Sequence, residues 1–288
     1  MGPCLKRRLC SKHHRIYLEK AERMSNACLA VNRMVGGLSV WDARTLYMAR
    51  VDPYLISAAD ICPDVVKSRG MEREAVQNHY LRRMLGLTER SVKAVLFSET
   101  GLEPILYRCA KLLLKNLRHL TALNNERLVK NGMIDSLDLA RQSRMSWVND
   151  IVIVLAELPI PVYWKIGEQN AIDSKTIDGL LADTRYSMES SINAELKAYS
   201  RTRDLLPDRL VMADGKWVHK VLAFRTYLRV RNDKHRVALT HAVLSGHSLA
   251  MERMRWSERY KPQVPTKWRL CRFCKTHLED SIHALFVC

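Results

Sequence analysis

The feature that most restricts how this chain can fold lies near its C-terminus. There Cys271, Cys274, His283 and Cys288 follow a C-x2-C-x8-H-x4-C spacing. Two cysteines separated by two residues can turn both sulfurs onto one ion, and a histidine and a cysteine five positions apart on a short helix or turn can complete a tetrahedron. The spacing therefore predicts one Zn2+ per chain. With all four positions taken by protein atoms, the ion is expected to be structural, not catalytic. Trp268, Phe273, Leu278, Ile282, Leu285 and Phe286 supply apolar packing for a unit too small to hold itself together. Zinc binding is expected to contribute on the order of 10 kcal/mol to its folding. His277 follows Cys274 by too short a span and reads as a solvated loop residue.

The rest of the chain must fold without such a staple, and at 288 residues it is long enough for two domains and a sizeable core. Its charge is more informative than its length. Forty-seven Lys and Arg against thirty Asp and Glu give +17, and a protein this basic usually meets a polyanion. The charge is not even: residues 1–119 carry 21 basic and 11 acidic side chains, residues 120–200 carry 8 and 11, and residues 201–288 carry 18 and 8. Two basic ends thus flank a mildly acidic middle. The eight cysteines do not form a disulfide framework. The N-terminal Met1–Arg15 stretch is basic without an apolar core, and the longest apolar run, Ile151–Leu155, is far too short to span a bilayer. A reducing nuclear or cytoplasmic setting without a membrane is the expectation.

Periodicity makes nearly every element helical. Residues 14–35 read as a helix that Gly36-Gly37 ends, and Ser39 is placed to cap a second helix carrying Trp41, Leu46, Tyr47 and Val51. Pro53 and Pro63 interrupt the path. A helix over about 67–85 stops at Gly86, a short turn covers 91–97, and an apolar helix runs from Glu103 to Leu123. The best internal boundary is Pro159–Pro161. An amphipathic helix follows over 173–199, basic segments fill 216–236, and a further helix is expected over 238–260 before Pro262 and Pro265 join it to the metal unit. The predicted organisation is a basic tail (1–14), helical regions 15–158 and 162–260, and the metal unit 266–288. The fold class is all-α with a small metal-stapled appendix.

Two sets of basic residues are candidates for contacting nucleic acid. Lys111, Lys115 and Arg118 lie three or four apart and form a stripe on one helix. Lys216, Lys220, Arg225, Arg229, Arg231, Lys234 and Arg236 are interleaved with Trp217, Phe224 and Tyr227, so phosphate neutralisation and base stacking can occur together. At helical spacing the same aromatics also suit a core. Arg269 and Arg272 add charge at the metal unit. A second metal site from Cys4, Cys10, His13 and His14 has a looser spacing.

Leu46-Tyr-Met-Ala-Arg-Val-Asp-Pro53, Tyr80-Leu-Arg-Arg-Met-Leu-Gly-Leu87, Val95-Leu-Phe-Ser-Glu-Thr-Gly-Leu-Glu-Pro104, Leu244-Ser-Gly-His-Ser-Leu-Ala250 and Arg269-Leu-Cys-Arg-Phe-Cys274, closing on His283 and Cys288, occur in that order. Together they resemble the C-terminal part of non-LTR (LINE-type) retrotransposon reverse transcriptases of fungal type, over about residues 15–288. The resemblance implies a helical thumb that cradles a template–product duplex, a linker, and a terminal CCHC knuckle that helps hold RNA or target DNA. Polymerase chemistry needs paired aspartates to hold two metal ions, and no Asp-Asp pair occurs in this sequence. Gly-rich phosphate loops, H-E-x-x-H and Gly-x-Ser-x-Gly motifs are missing as well. The expectation is a non-enzymatic, RNA- or DNA-binding fragment of such a polyprotein. The alternatives are an interaction module that docks on a separate polymerase chain, and a relic reading-frame product with no selected activity.

Overall fold

The computed structural model describes residues 3–167, 172–199, 210–213, 216–244, 249–254, 262–280 and 283–288. It is mostly helical. Helix α1 (Pro3–Met34) begins well before residue 14, so the basic tail is helix. Pro3 suits the first turn, where its missing N–H is no loss, and the Leu, Lys and Arg residues that follow are good helix formers.

Ser39 caps α2 (Val40–Leu46), its hydroxyl accepting from Asp42 N–H at 3.1 Å. The chain then widens into a π-helical turn, Tyr47–Val51, before the single turn of α3 (Asp52–Leu55). Pro53 has no N–H to donate into the preceding turn, which accounts for the interruption there. Helix α4 (Lys67–Leu85) ends as its sequence predicts: Gly86 takes φ +70°, and Leu87 N–H returns to Arg82 O at 2.8 Å. Helix α5 (Lys93–Thr100) is longer than the expected turn and closes on Gly101 at φ +68°.

Helix α6 (Ile105–Ala122) is the central element. It packs on α4, on α8 (Trp147–Ala156) and above all on α9 (Ser174–Ala198), with α7 (Leu128–Arg141) alongside. Its Leu113, Leu114 and Leu117 are buried, each burial stabilising by about 1.5–3 kcal/mol. Asp173 caps α9, accepting from Thr176 N–H at 2.8 Å. One core runs from Ala21 to Leu244 and continues through the Pro159–Pro161 segment, because α9 lies directly on α5 and α6.

The basic 216–236 region is not a single helix. Strands β1 (Leu210–Ala213) and β2 (Lys216–His219) form an antiparallel hairpin in the register Ala213↔Lys216, so all-α describes the bundle but not this segment. Asp214-Gly215 between them is a strong two-residue hairpin signal that the helical reading passed over. A 3-10 turn (Thr226–Arg229) and α10 (Asp233–Val243) follow, the latter starting where Asn232 Oδ1 accepts from His235 N–H at 3.1 Å. Instead of one helix over 238–260 there are α10 and a short α11 (Ala250–Arg253). Residues 245–248 and 255–260 of that expectation lie outside the described residues.

Residues 220–229 form a strap across the end of α5. Thr100 and Phe224 bridge in antiparallel fashion, and Arg225 N–H donates to Glu99 O at 3.0 Å. The Tyr227 hydroxyl donates to Glu99 Oε2 at 2.9 Å, and Phe224 meets Trp41 edge-on at 5.2 Å.

Candidate metal centre

Two short backbone pairings shape the C-terminal unit. Cys271 N–H donates to His277 O at 2.7 Å and Glu279 N–H to Arg269 O at 3.0 Å, folding 269–279 into a tight hairpin. Lys275, at φ +61°, makes the reversal between them. Asp280 starts the next element, its Oδ1 accepting from His283 N–H at 2.7 Å, and a π-helical turn, His283–Val287, carries the chain to Cys288. The first two sulfurs thus come from the hairpin, and the histidine and last sulfur from the turn.

The four ligand atoms converge within 4.8 Å of one another. Cys271 Sγ lies 3.8 Å from Cys288 Sγ, and Cys274 Sγ lies 3.2 Å from His283 Nε2. In a tetrahedron with Zn–S of about 2.3 Å and Zn–N of about 2.0–2.1 Å, S–S edges are about 3.8 Å and S–N edges about 3.5 Å. A metal ion of that size fits the set. His283 is buried and Cys288 exposed, and among the described residues no other cluster of three or more such groups could hold a metal. His277, exposed and outside the set, stacks on His283 at 5.4 Å between ring centres. The side chains of Cys4 and Cys10 lie outside the described residues.

The electrostatics around the sulfurs favour a cation. Hydrogen bonds from Thr276, through its hydroxyl and N–H, and from the His277 N–H pull the Cys274 thiol down to about 5. The Cys288 thiol is pushed up, by its hydrogen bond to Cys271, by desolvation and by the charge of the neighbouring thiols. Phe273 N–H donates to Cys271 Sγ at 3.4 Å. A bound metal ion would replace the thiol protons and offset the repulsion among the three sulfurs.

Glu279, which the sequence reading missed, joins this unit to the chain before it. Its buried carboxylate accepts from Arg272 Nε at 2.5 Å and from Ala250 N–H at 2.6 Å, where α11 begins. Burial raises its pKa, but these hydrogen bonds and the charges of Arg272 and Arg253 outweigh that and hold it low. Arg269 is also buried, donating to Val264 O and Met251 O at 2.9 Å each.

The basic candidates therefore divide. Lys115, Lys220, Arg229, Arg231 and Lys234 are exposed. Lys111 pairs with Glu103 at 2.5 Å, Arg118 with Asp178 at 3.2 Å and Arg272 with Glu279. Arg236 is buried against Asp233 at 2.6 Å, and Arg225 ties the strap down through Ser98 O, Lys220 O and Val221 O. The Lys216 side chain lies outside the described residues. Among the described residues no helix is long and apolar enough to cross a membrane. No protein-family model, curated protein or solved structure matches the chain.

Proposed function

We propose that the chain is a non-catalytic nucleic-acid-binding segment of a non-LTR (LINE-type) reverse transcriptase, with a structural zinc ion in its C-terminal unit. The observation that carries this reading is the convergent Cys271, Cys274, His283, Cys288 set beside an outward aromatic and basic surface. Trp268 and Phe273 are 63% and 80% exposed, and Lys267 lies 5.9 Å from the Trp268 ring. Aromatics of this kind stack on bases whatever their sequence, and neighbouring cations neutralise phosphates. The zinc ion supplies a cross-link between the 269–279 hairpin and the 283–287 turn. Trp268 and Phe273 offer stacking faces, Lys267 and Lys275 offer charge, and Lys115, Lys220, Arg229, Arg231 and Lys234 extend the phosphate-binding surface onto the bundle.

The test begins with zinc stoichiometry, by elemental analysis with circular dichroism, before and after a chelator. One zinc per chain, lost together with order in the C-terminal unit, is the expected result. Titration with RNA and DNA oligonucleotides across salt follows. With roughly six phosphates contacted, affinity falls about a thousandfold between roughly 50 and 200 mM salt. A flat salt response would remove the electrostatic reading, and a well-folded protein without zinc would remove the knuckle.

A second reading, docking on a separate polymerase chain, draws on α7, where Leu128 and Val129 are 86% and 61% exposed. Size exclusion with and without ribonuclease separates the two, since a protein partner survives digestion.

A further inference from the structure

The three sulfurs of the metal unit differ in what surrounds them. Cys271 is 1% exposed, and its sulfur accepts from Phe273 N–H at 3.4 Å. Cys274 is half-buried, and hydrogen bonds from Thr276 and from the His277 N–H hold its sulfur. Cys288 is exposed. Among the other cysteines whose side chains are described, Cys28 and Cys109 are buried and Cys62 is half-buried. Oxidation follows thiolate character and exposure, and a metal-bound sulfur is held deprotonated, so a small oxidant meets Cys288 first.

Cys271 and Cys288 also belong to different halves of the unit. Cys271 lies in the 269–279 hairpin, its N–H on His277 O, whereas Cys288 follows the 283–287 turn, its N–H on His283 O at 2.9 Å. Their sulfurs are 3.8 Å apart. A disulfide is about 2.05 Å long, so forming one needs an approach of about 1.7–1.8 Å, a shift of side-chain size. Such a bond would tie the hairpin to the turn, as the metal does. A bond between Cys271 and Cys274 would instead lie inside the hairpin and leave the turn loose.

We propose that the metal unit is a reversible redox device, in which hydrogen peroxide joins Cys271 to Cys288, displaces the zinc ion and leaves the hairpin and the turn tied together. The device rests on the metal site of the proposed function. The Cys288 thiolate attacks one peroxide oxygen; the O–O bond breaks, hydroxide leaves and Cys288 becomes a sulfenic acid. The Cys271 thiolate then attacks the Cys288 sulfur, forming the S–S bond and breaking the S–O bond as a second hydroxide leaves. The two sulfurs give two electrons to the peroxide, and two protons from solvent turn the two hydroxides into water. Cys274 and His283 alone are too few to hold an ion that structural sites bind through four ligands. A thiol reductant reopens the bond by exchange, and the preserved tie keeps the four ligands placed to take the metal back.

The test treats the zinc-loaded full chain with hydrogen peroxide, reads released zinc with a colorimetric chelator, and alkylates the remaining thiols before tryptic digestion. Trypsin cuts after Arg269, Arg272 and Lys275, so Cys271, Cys274 and Cys288 fall on separate peptides and mass spectrometry tells the possible bonds apart. One zinc released for each Cys271–Cys288 bond is the expected result, with bound zinc recovered after a thiol reductant and added zinc. Cys288→His keeps four zinc-ligand side chains and removes the exposed sulfur, so release should slow by about tenfold or more. A dominant bond between Cys274 and either other cysteine, sulfinic or sulfonic acid in place of a disulfide, failure to reload, or unchanged release from Cys288→His would overturn the proposal. Should Cys288→His hold no zinc, the peptide map of the unsubstituted chain decides alone. A chain without zinc before peroxide refutes the metal site itself, whereas a chain that carries zinc and keeps it under peroxide refutes only the device.

Discussion

Gly86 and Gly101 both end helices in the left-handed region, at φ +70° and +68°, but their surroundings differ. A Cβ on Gly86 would lie 3.2 Å from the methyls of Val237, a side chain that can turn away. A Cβ on Gly101 would lie 2.9 Å from Phe224 N and 3.0 Å from Ala223 C, which are backbone atoms of the strap. Either substitution to Ala incurs about 1–2 kcal/mol for the left-handed backbone. For Gly101→Ala the strap must also move, which strains the Arg225 N–H bond to Glu99 O and the Ala223 N–H bond to Ser98 O. A backbone group left unsatisfied costs about 1–3 kcal/mol. Gly101→Ala should therefore destabilise by about 2–5 kcal/mol and Gly86→Ala by about 1–2 kcal/mol, the difference arising from the backbone contact. Urea unfolding of both variants followed by circular dichroism reads these as midpoint shifts at constant slope. If the two variants lost equal stability, the strap would not be seated on α5 as described.

Leu114→Ala, at a fully buried position on α6, should cost about 3–5 kcal/mol in the same assay, whereas Leu128→Ala on exposed α7 should stay within about 0.5 kcal/mol of the wild type. The Asp52 carboxyl titrates higher in the folded chain than its ordinary value, so the folded state holds the proton more tightly. Its ionisation therefore costs stability as pH rises through the raised value, and nothing below the ordinary one. Asp52→Asn removes that titration, so its stability relative to wild type should improve from acid to neutral pH; a difference independent of pH would count against the buried pair. Chelation should release amide protection at Ala250 and Glu279, whose hydrogen bonds link α11 to the metal unit, and leave α6 protected. Cys288→Ser should weaken metal binding while the bundle keeps its midpoint.

Local chemistry made much of the fold legible. Ser39, Gly86 and Asp173 act where their side chains or backbone freedom predict, because a cap is decided by a few neighbouring residues. The ligand set was legible for a related reason, since each half of it is a local motif. Charge was not. Arg225, Arg236 and Arg269 look in sequence like Lys115 or Arg229, and only packing shows that their donors are used inside the fold. The hairpin was missed because helical spacing of Trp217, Phe224 and Tyr227 outweighed the Asp-Gly sequence signal at 214–215. The Asp52–Arg108 pair joins residues 56 positions apart by sequence number, beyond the reach of any periodicity.

The strap has a kinetic meaning as well as a structural one. Its bonds from Arg225 to Ser98 and from Tyr227 to Glu99 span 127 and 128 residues, while the contacts within the helices span three or four. Closing a loop of that length carries about 4 kcal/mol of chain entropy, growing only slowly with further length. It becomes favourable only once the end of α5 and Trp41 of α2 already stand as a surface to receive it. The strap is thus expected to condense after the helix ends that it spans are in place. Native-state hydrogen exchange is expected to show the Arg225 N–H, held on Glu99 O, opening before the amides of α6, and equal protection of the two would refute this order.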